Sequence, residues 1–409
     1  MLLAQLAENL IMNLVSSIDT EIVDISLSAG RILAQPLASQ LDFPHWDNSA
    51  MDGYAVRFTD VETCTPEQPA ILKVVETIAA GSQPQLVIHP GEAARIFTGA
   101  CLPLGADTIV MQEQAQLQDE DRVAILNSPS VLGEFVRHRA SFYQAGNTLL
   151  ESGTLIKAPE IAILAAAQCQ QLTVFRRPRV VVFSTGDELV SIGQSLQPGQ
   201  IVDSNHYALM VFAAQAGAIP TYLGIVKDEE KATKNMVAQA IAKADIVLSS
   251  GGVSVGEHDY VEKVLEALGA EIHIRSVAVK PGKPLTVATF PQLPHQPIYF
   301  GLPGNPVSAL VSCWRFVAPA LKKLSGIKDN WKPEFIKARS QHNLRSDGKR
   351  ETYLWGKLDL VAGNYEFSLA GGSQNSGNLI NLAQTTGLAM LPVGKTSISQ
   401  GEEVEVLKI

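Results

Sequence analysis

The sequence predicts a multidomain α/β protein. Its centre is a doubly wound, mostly parallel sheet, flanked by β-rich segments and ending in a small β-barrel-like domain. Three observations carry this expectation. Residues 176–326 alternate apolar, β-branched runs with amphipathic stretches, the rhythm that builds parallel βαβ sheets. On either side, short strand-like runs are separated by Gly, Pro, Asn and Asp. The length of 409 residues exceeds one ordinary core and allows roughly two to four domains.

The elements follow in order. In residues 1–44 a leading helix precedes short extended pieces; Leu3, Leu6, Leu10 and Leu14 recur at helical spacing, and Glu8 with no basic n-region argues against a signal peptide. Residues 45–140 form a second, β-rich domain. Runs such as 71–78 and 107–117 are rich in β-branched residues there, and Pro84, Pro90, Gly91, Gly99, Pro103 and Gly105 interrupt them. Residues 158–172 read as a helix with Pro159 in its first turn. Leu155, Pro159, Ile163 and Ala166 could pack on the leading helix, so 1–44 and 141–175 are expected to make one discontinuous linker or dimerisation domain.

The central domain, 176–328, is expected to place strands at 179–183, 221–226, 245–249 and 298–301. Helices are expected at 204–218, 229–244, 259–270 and 306–326, the last with a bend near Pro319. From 329 to 409 the rhythm stops, and short strand-like segments suit a barrel or sandwich of about 80 residues.

Bulk composition narrows the function. Hydrophobic residues make up 46% and charged residues 18%, which excludes disorder. A net charge of −9 disfavours a general nucleic-acid or anionic-membrane binder but leaves room for a local basic pocket. Cys64, Cys101, Cys169 and Cys313 are scattered without a CxxC pair, which argues against a zinc site or disulfide framework. No apolar run reaches spanning length, since 305–321 contains Asn305 and Arg315; a cytoplasmic location is expected.

The chemistry gathers in five turns of the central domain: 183–189, 199–205, 249–260, 279–285 and 301–310. Open α/β sheets bind ligands beyond the carboxyl ends of their strands, so these turns are expected to converge on one anion pocket. In 301–310, Gly301, Gly304 and Asn305 precede Pro306 at the first helical position. Ser308 lies in that first turn, where free N–H groups favour an anion; a plain tight turn is the competing account. Ser249, Ser250, Gly251 and Gly252 suggest a second cradle, and Asp259 stands either as an N-cap or near the ligand. Thr185 and Gly186 open the turn carrying Asp187 and Glu188, and Asp203 follows a short strand-like pair. Acids beside phosphate cradles suit a bridging Mg²⁺ held by Asp187, Glu188 and Asp203. Lys280 and Lys283, stiffened by Pro281 and Pro284, suit an oxyanion. Outside this domain, Asp47, Asn48, Ser49 and Asp52 crowd beside Gly53, either as turn chemistry or as a loop reaching another domain or subunit.

Taken together, segments 47–56, 97–113, 183–189, 249–260, 280–285 and 301–310 resemble the molybdopterin molybdenumtransferase family (MoeA type, including the gephyrin E domain) over nearly the whole chain. The resemblance implies four domains, a homodimer, and a molybdopterin-binding central domain shared with the molybdopterin adenylyltransferases. It implies a molybdenum insertase that converts adenylylated molybdopterin and molybdate to molybdenum-molybdopterin and AMP with Mg²⁺. An adenylyltransferase partner and apo-molybdoenzymes are further implied partners.

Carried onto this sequence, the resemblance puts Asp187, Glu188, Asp203, Asp228 and Asp259 at the pterin phosphate and Mg²⁺. Lys280, Lys283, Pro284 and Ser308 fall at the molybdate, and Asp52 and Thr98 in second-domain motifs that approach the partner's cleft. The catalytic set implied is Asp52, Glu188, Asp259, Lys280 and Lys283. Two departures stand out. Ala140, Ser141 and Phe142 occupy positions where a glycine and two acids are usual, and Trp355 lies near a usual arginine. The first departure motivates a non-catalytic pterin-binding or scaffold protein as an alternative; an adenylyltransferase is the other.

Overall fold

The computed structural model describes residues 1–251 and 260–409. Two compact units emerge. One comprises Met1–Gln35, Ser152–Ala162 and Gln170–Ile409; the other comprises Pro36–Glu151 and Ile163–Cys169.

The first unit begins with α1 (Ala4–Leu14). Its buried stripe is Ala4, Ala7, Ile11 and Met12; of the expected leucines, Leu10 and Leu14 pack partly against the same core, whereas Leu3 and Leu6 are half exposed. The small alanines let the helix approach its neighbours closely.

The second unit is built on a six-stranded sheet of β1 (Gly53–Val56), β2 (Ala70–Ile78), β3 (Glu92–Ile96), β4 (Thr108–Met111), β5 (Ala115–Asp119) and β6 (Arg122–Ile125). Its order is β4-β1-β3-β2-β6-β5. Alternation along the strands sends Tyr54 and Val56 into one apolar cluster and Ala55 into the other. Gly53 is fixed by close approach: a Cβ there would lie 2.0 Å from the Val110 carbonyl oxygen across β4.

Returning to the first unit, its central segment carries β7 (Arg179–Thr185), β8 (Ile219–Val226), β9 (Ile246–Ser250), β10 (Glu271–Ser276), β11 (Val279–Lys280), β12 (Pro284–Thr289) and β13 (Ile298–Leu302). Six of these strands are ordered β8-β7-β9-β13-β12-β10. The first four are mutually parallel, and β12 and β10 run antiparallel at one edge. The sheet carries α2 (Asn205–Gln215), α3 (Glu230–Ile241), α4 (Tyr260–Ala267), α5 (Pro306–Ser312) and α6 (Ala318–Leu324).

Alternation along β7 sends Val180 and Val182 into a core with α1, α2, α5 and α6. Val181 and Phe183 enter a second core with α3 and α4, so both faces are covered as a doubly wound sheet requires. Each fully buried side chain of this size contributes roughly 1.5–3 kcal/mol. The expected bend near Pro319 takes the form of a π turn, Cys313–Val317, between α5 and α6. Proline offers no N–H to the preceding turn and its ring crowds the carbonyl there, which the wider turn accommodates.

The chain ends in β14 (Phe335–Ser340), β15 (Glu351–Val361), β16 (Asn364–Leu369), β17 (Gly387–Leu391) and β18 (Glu403–Lys408). They close in the order β15-β16-β14-β18-β17, with β17 returning to β15, which is the small barrel expected. β11, which lies in sequence between β10 and β12, adds to the edge of β15 in parallel and so extends the barrel sheet rather than the central one. Tyr353, Trp355, Leu388 and Leu407 of the barrel join the central core. Trp355 is thus a core residue whose buried Nε1 has no hydrogen-bond partner among the described residues.

Candidate active site

A cleft of about 710 Å³ opens at the carboxyl ends of the parallel strands. Thr185 at the end of β7, Ser250 and Gly251 at the end of β9, and Pro303, Gly304, Asn305 and Pro306 after β13 line it. Glu188, Asp203, Asn205, Asp228, Pro284 and Ser308 complete the polar wall. The convergence read from the turns is therefore observed for these positions.

The glycines fit the cradle expected of them. Gly251 has φ +92°, and a Cβ there would sit 2.3 Å from the Thr185 carbonyl oxygen. Gly186 leaves no room beside the Glu188 carboxylate, whose nearest oxygen would be 2.6 Å from an added Cβ. Thr185 is buried, and among the described residues its hydroxyl oxygen has no hydrogen-bond partner, which suits a wall that receives a polar ligand.

Asn205 ties the turns together. Its Nδ2 donates to Ser250 Oγ at 2.6 Å and to the Gly304 carbonyl at 2.7 Å, bridging the loops after β9 and β13. Asp203 fixes the start of the same helix. Its Oδ1 accepts the His206 N–H at 3.3 Å; its Oδ2 meets His206 Nδ1 at 2.8 Å and accepts the Tyr222 hydroxyl at 3.0 Å. The His206 ring stacks on Tyr222 at 3.9 Å. Burial and the neighbouring Asp203 charge push the Tyr222 hydroxyl well above its usual range, so it stays a donor. Asp203 therefore sits on the cleft wall with its carboxylate engaged inward, while Glu188 and Asp228 are exposed acids on the cleft.

Other expected residues are placed elsewhere. Ser249 is turned away by strand alternation and bonds Tyr299 at 2.5 Å inside the core. Asp187 accepts the Asp228 N–H at 3.4 Å. Lys280 and Lys283 stand on the turn between β10 and β12, and Lys280 pairs with Asp347 at 3.0 Å. That turn packs against α5, since a Cβ at Gly282 would lie 3.0 Å from Ser312 Oγ and 3.5 Å from the Ser308 carbonyl. Gly252 and Asp259 lie outside the described residues. Among the described residues, no three His, Cys, Asp or Glu side chains gather as a metal cluster.

A contributor that sequence reasoning missed is the barrel loop 375–379. Gly377 and Leu379 line the cleft, Asn305 Nδ2 donates to Ser376 Oγ at 3.3 Å, and the Val307 N–H donates to the Ser376 carbonyl at 3.3 Å. One of the N–H groups expected to be free at the helix start is thus already used. The only signal was a run of small polar turn residues between two strands.

In the second unit, Asp52 and Thr98 meet each other. Asp52 Oδ1 accepts both the N–H and the hydroxyl of Thr98 at 2.7 Å, and those two bonds hold its carboxyl below the usual range. Asp47 accepts the Arg139 N–H at 2.7 Å and meets His138 at 3.1 Å, anchoring the segment before Ala140. Phe142 is largely exposed.

Three family models match the chain. They are the MoeA N-terminal region (domain I and II) over residues 3–167, a probable molybdopterin binding domain over 181–323, and the MoeA C-terminal region (domain IV) over 337–409. A molybdopterin molybdenumtransferase from Nostoc sp. is 60% identical over 406 residues, spanning 99% of this chain and 92% of its own. One from Haemophilus influenzae is 33% identical over 95% of this chain and 93% of its own. Two crystal structures of molybdopterin biosynthesis MoeA protein from Pyrococcus horikoshii superpose over the full chain. Their TM-scores are 0.83 at 30% identity, covering 98% of the first, and 0.85 at 25% identity, covering all of the second.

Proposed function

Because the chain belongs to the molybdopterin molybdenumtransferase family, we propose that its cleft holds adenylylated molybdopterin while AMP departs and molybdenum from molybdate enters the dithiolene. It is a transferase of molybdenum cofactor biosynthesis. The observation that carries the proposal is the convergence of the Thr185, Ser250–Gly251 and Gly304–Asn305 turns, bridged by Asn205, on one cleft edged by Glu188 and Asp228. Backbone and hydroxyl donors at these turns receive the phosphate oxygens, and the close-packed glycines let the ligand approach the main chain.

The two acids would hold Mg²⁺, which completes its shell from phosphate and water. When bound, the cation offsets charge on the phosphoanhydride. Asp203 acts here by anchoring α2 rather than as a ligand, since its carboxylate already serves His206 and Tyr222. Lys280, Lys283 and Ser308 receive the oxyanion; Asp259, assigned to the phosphates by the resemblance alone, lies outside the described residues.

The proposal extends to a cytoplasmic homodimer in which Asp52 and Thr98 act at the partner's cleft. Mixing two inactive variants, Asp52→Ala and Glu188→Gln, restores activity if sites are shared between subunits; failure to complement in a verified mixed dimer sinks that part. Cell fractionation tests the location.

Incubation with adenylylated molybdopterin, molybdate and Mg²⁺ is expected to release AMP and yield a cofactor that activates an apo-molybdoenzyme. Ligand binding without AMP release would overturn the insertase reading in favour of a scaffold. Full-length similarity to molybdenumtransferases does not favour the adenylyltransferase alternative.

A further inference from the structure

We propose that Asp347 is a tethered internal anion that holds the Lys280 ammonium when no oxyanion is bound, and so sets the oxyanion affinity of the site. This rests on the reading that Lys280 receives molybdate.

Each partner of the pair is fixed without the other. The Lys280 main chain is held by β11 pairing with Glu351 and Thr352 of β15. The Val279 carbonyl accepts Arg350 Nη1 at 3.4 Å, and the following turn packs on α5. The Asp347 carboxylate is set by its own turn, since Oδ1 accepts the Lys349 N–H at 2.9 Å. The flanking Ser346 N–H bonds the Thr396 carbonyl at 2.8 Å. The only strong link between the two is Lys280 Nζ donating to Asp347 Oδ2 at 3.0 Å, with the side chains 45% and 34% exposed.

Removing the carboxylate therefore frees the ammonium without displacing the chain that carries it. The Lys349 N–H and the Lys280 ammonium hold the Asp347 carboxyl below its usual range, so the group is an anion at neutral pH. Arg350 Nη2, at 3.9 Å from Asp347, is too far to saturate it. A tetrahedral oxyanion offers the ammonium the same kind of acceptor, and the four-carbon stem can swing from one to the other. An exposed pair of this kind shifts an equilibrium by about 1.4- to fivefold, and by less as salt screens it.

The test is titration calorimetry with sodium molybdate alone on the full chain, at low and high salt. Asp347→Asn, which keeps the Oδ1 acceptor of the turn, is expected to bind molybdate about two- to fivefold more tightly. Asp347→Glu, which keeps the charge, should stay close to the wild type. Lys280→Gln should bind more weakly, and adding Asp347→Asn to it should bring no gain. Weaker or unchanged binding by Asp347→Asn, while Lys280→Gln still loses affinity, overturns the inference and makes Asp347 a positioning residue or a bystander. No loss in Lys280→Gln, or no binding by the wild type, overturns the oxyanion reading beneath it.

Discussion

Ala140 adopts φ 62° in the second unit, a left-handed backbone that a side chain disfavours by roughly 1–2 kcal/mol. Glycine would remove that cost, offset in part by the greater entropy it gives the unfolded chain, so Ala140→Gly is expected to raise stability by about 0.5–1 kcal/mol. A higher urea midpoint at unchanged slope checks it; a lower midpoint refutes it. The departure noted in the sequence is thus in part a backbone matter, where glycine is usual because the chain turns left-handed. Asn205 joins two walls of the cleft. Asn205→Ala strands Ser250 Oγ and the Gly304 carbonyl, costing roughly 1–3 kcal/mol. The KM for the adenylylated pterin should rise with it. Asn205→Asp should still lose the bridge, since the Ser250 hydroxyl can donate to a carboxylate but the Gly304 carbonyl cannot be satisfied by one, and a wild-type KM in both variants would refute the bridge.

Gly251, at the end of β9, has no room for a side chain. Gly251→Ala would push a methyl against the Thr185 carbonyl, and the displaced main chain at Gly251 should cost about a hundredfold in turnover while the fold survives. Near-wild-type turnover would show that the cradle tolerates displacement. At the opposite ends of the same strands, Asp245 accepts Arg176 Nη1 at 2.6 Å, Nη2 at 2.8 Å and the Arg179 N–H at 2.7 Å. Burial pushes its carboxyl up, but those bonds and charges outweigh it and leave the pKa lowered. A lowered folded-state pKa stabilises above the unfolded value near 4 and is lost as pH falls through the folded value. Denaturation midpoints should therefore fall on acidification below about pH 4, and Asp245→Asn should remove that part of the dependence.

The parallel strands, their helices and the glycine turns were legible because burial on both faces writes continuous apolar runs, and close approach demands glycine. The antiparallel pair β10 and β12 was not, because its alternation is broken by bulges at Ile272/Ile274 and Ile274/Ser276. That reversal is what brings the Lys280–Lys283 turn to the ligand end, since Thr286 of β12 faces Gly301 of β13. The loop 375–379 was illegible for a different reason: it belongs to a barrel some 70 residues beyond the helix it caps, at |i−j| of 71 between Asn305 and Ser376.

Across the whole first unit, one core joins α1, the central sheet and the barrel, and a buried charge network runs through it. Arg315 lies on the π turn; it pairs with Glu8 of α1 and, at 3.5 Å, with Glu351 of β15, which also accepts the Tyr353 hydroxyl at 2.5 Å. Glu8→Ala should cost roughly 3–5 kcal/mol by leaving the guanidinium underpaired. Calorimetry should show sheet and barrel melting earlier together, whereas a barrel transition that stays in place would refute a shared core. The same arrangement has a consequence during synthesis. Glu8 and Arg315 are 307 residues apart, so the first helix emerges from the ribosome long before the surface that buries it exists. At about 5–20 residues per second, it waits roughly 15–60 seconds with its apolar stripe uncovered. During that interval the apolar stripe of α1 is exposed surface of the kind that makes partly folded chains prone to aggregation.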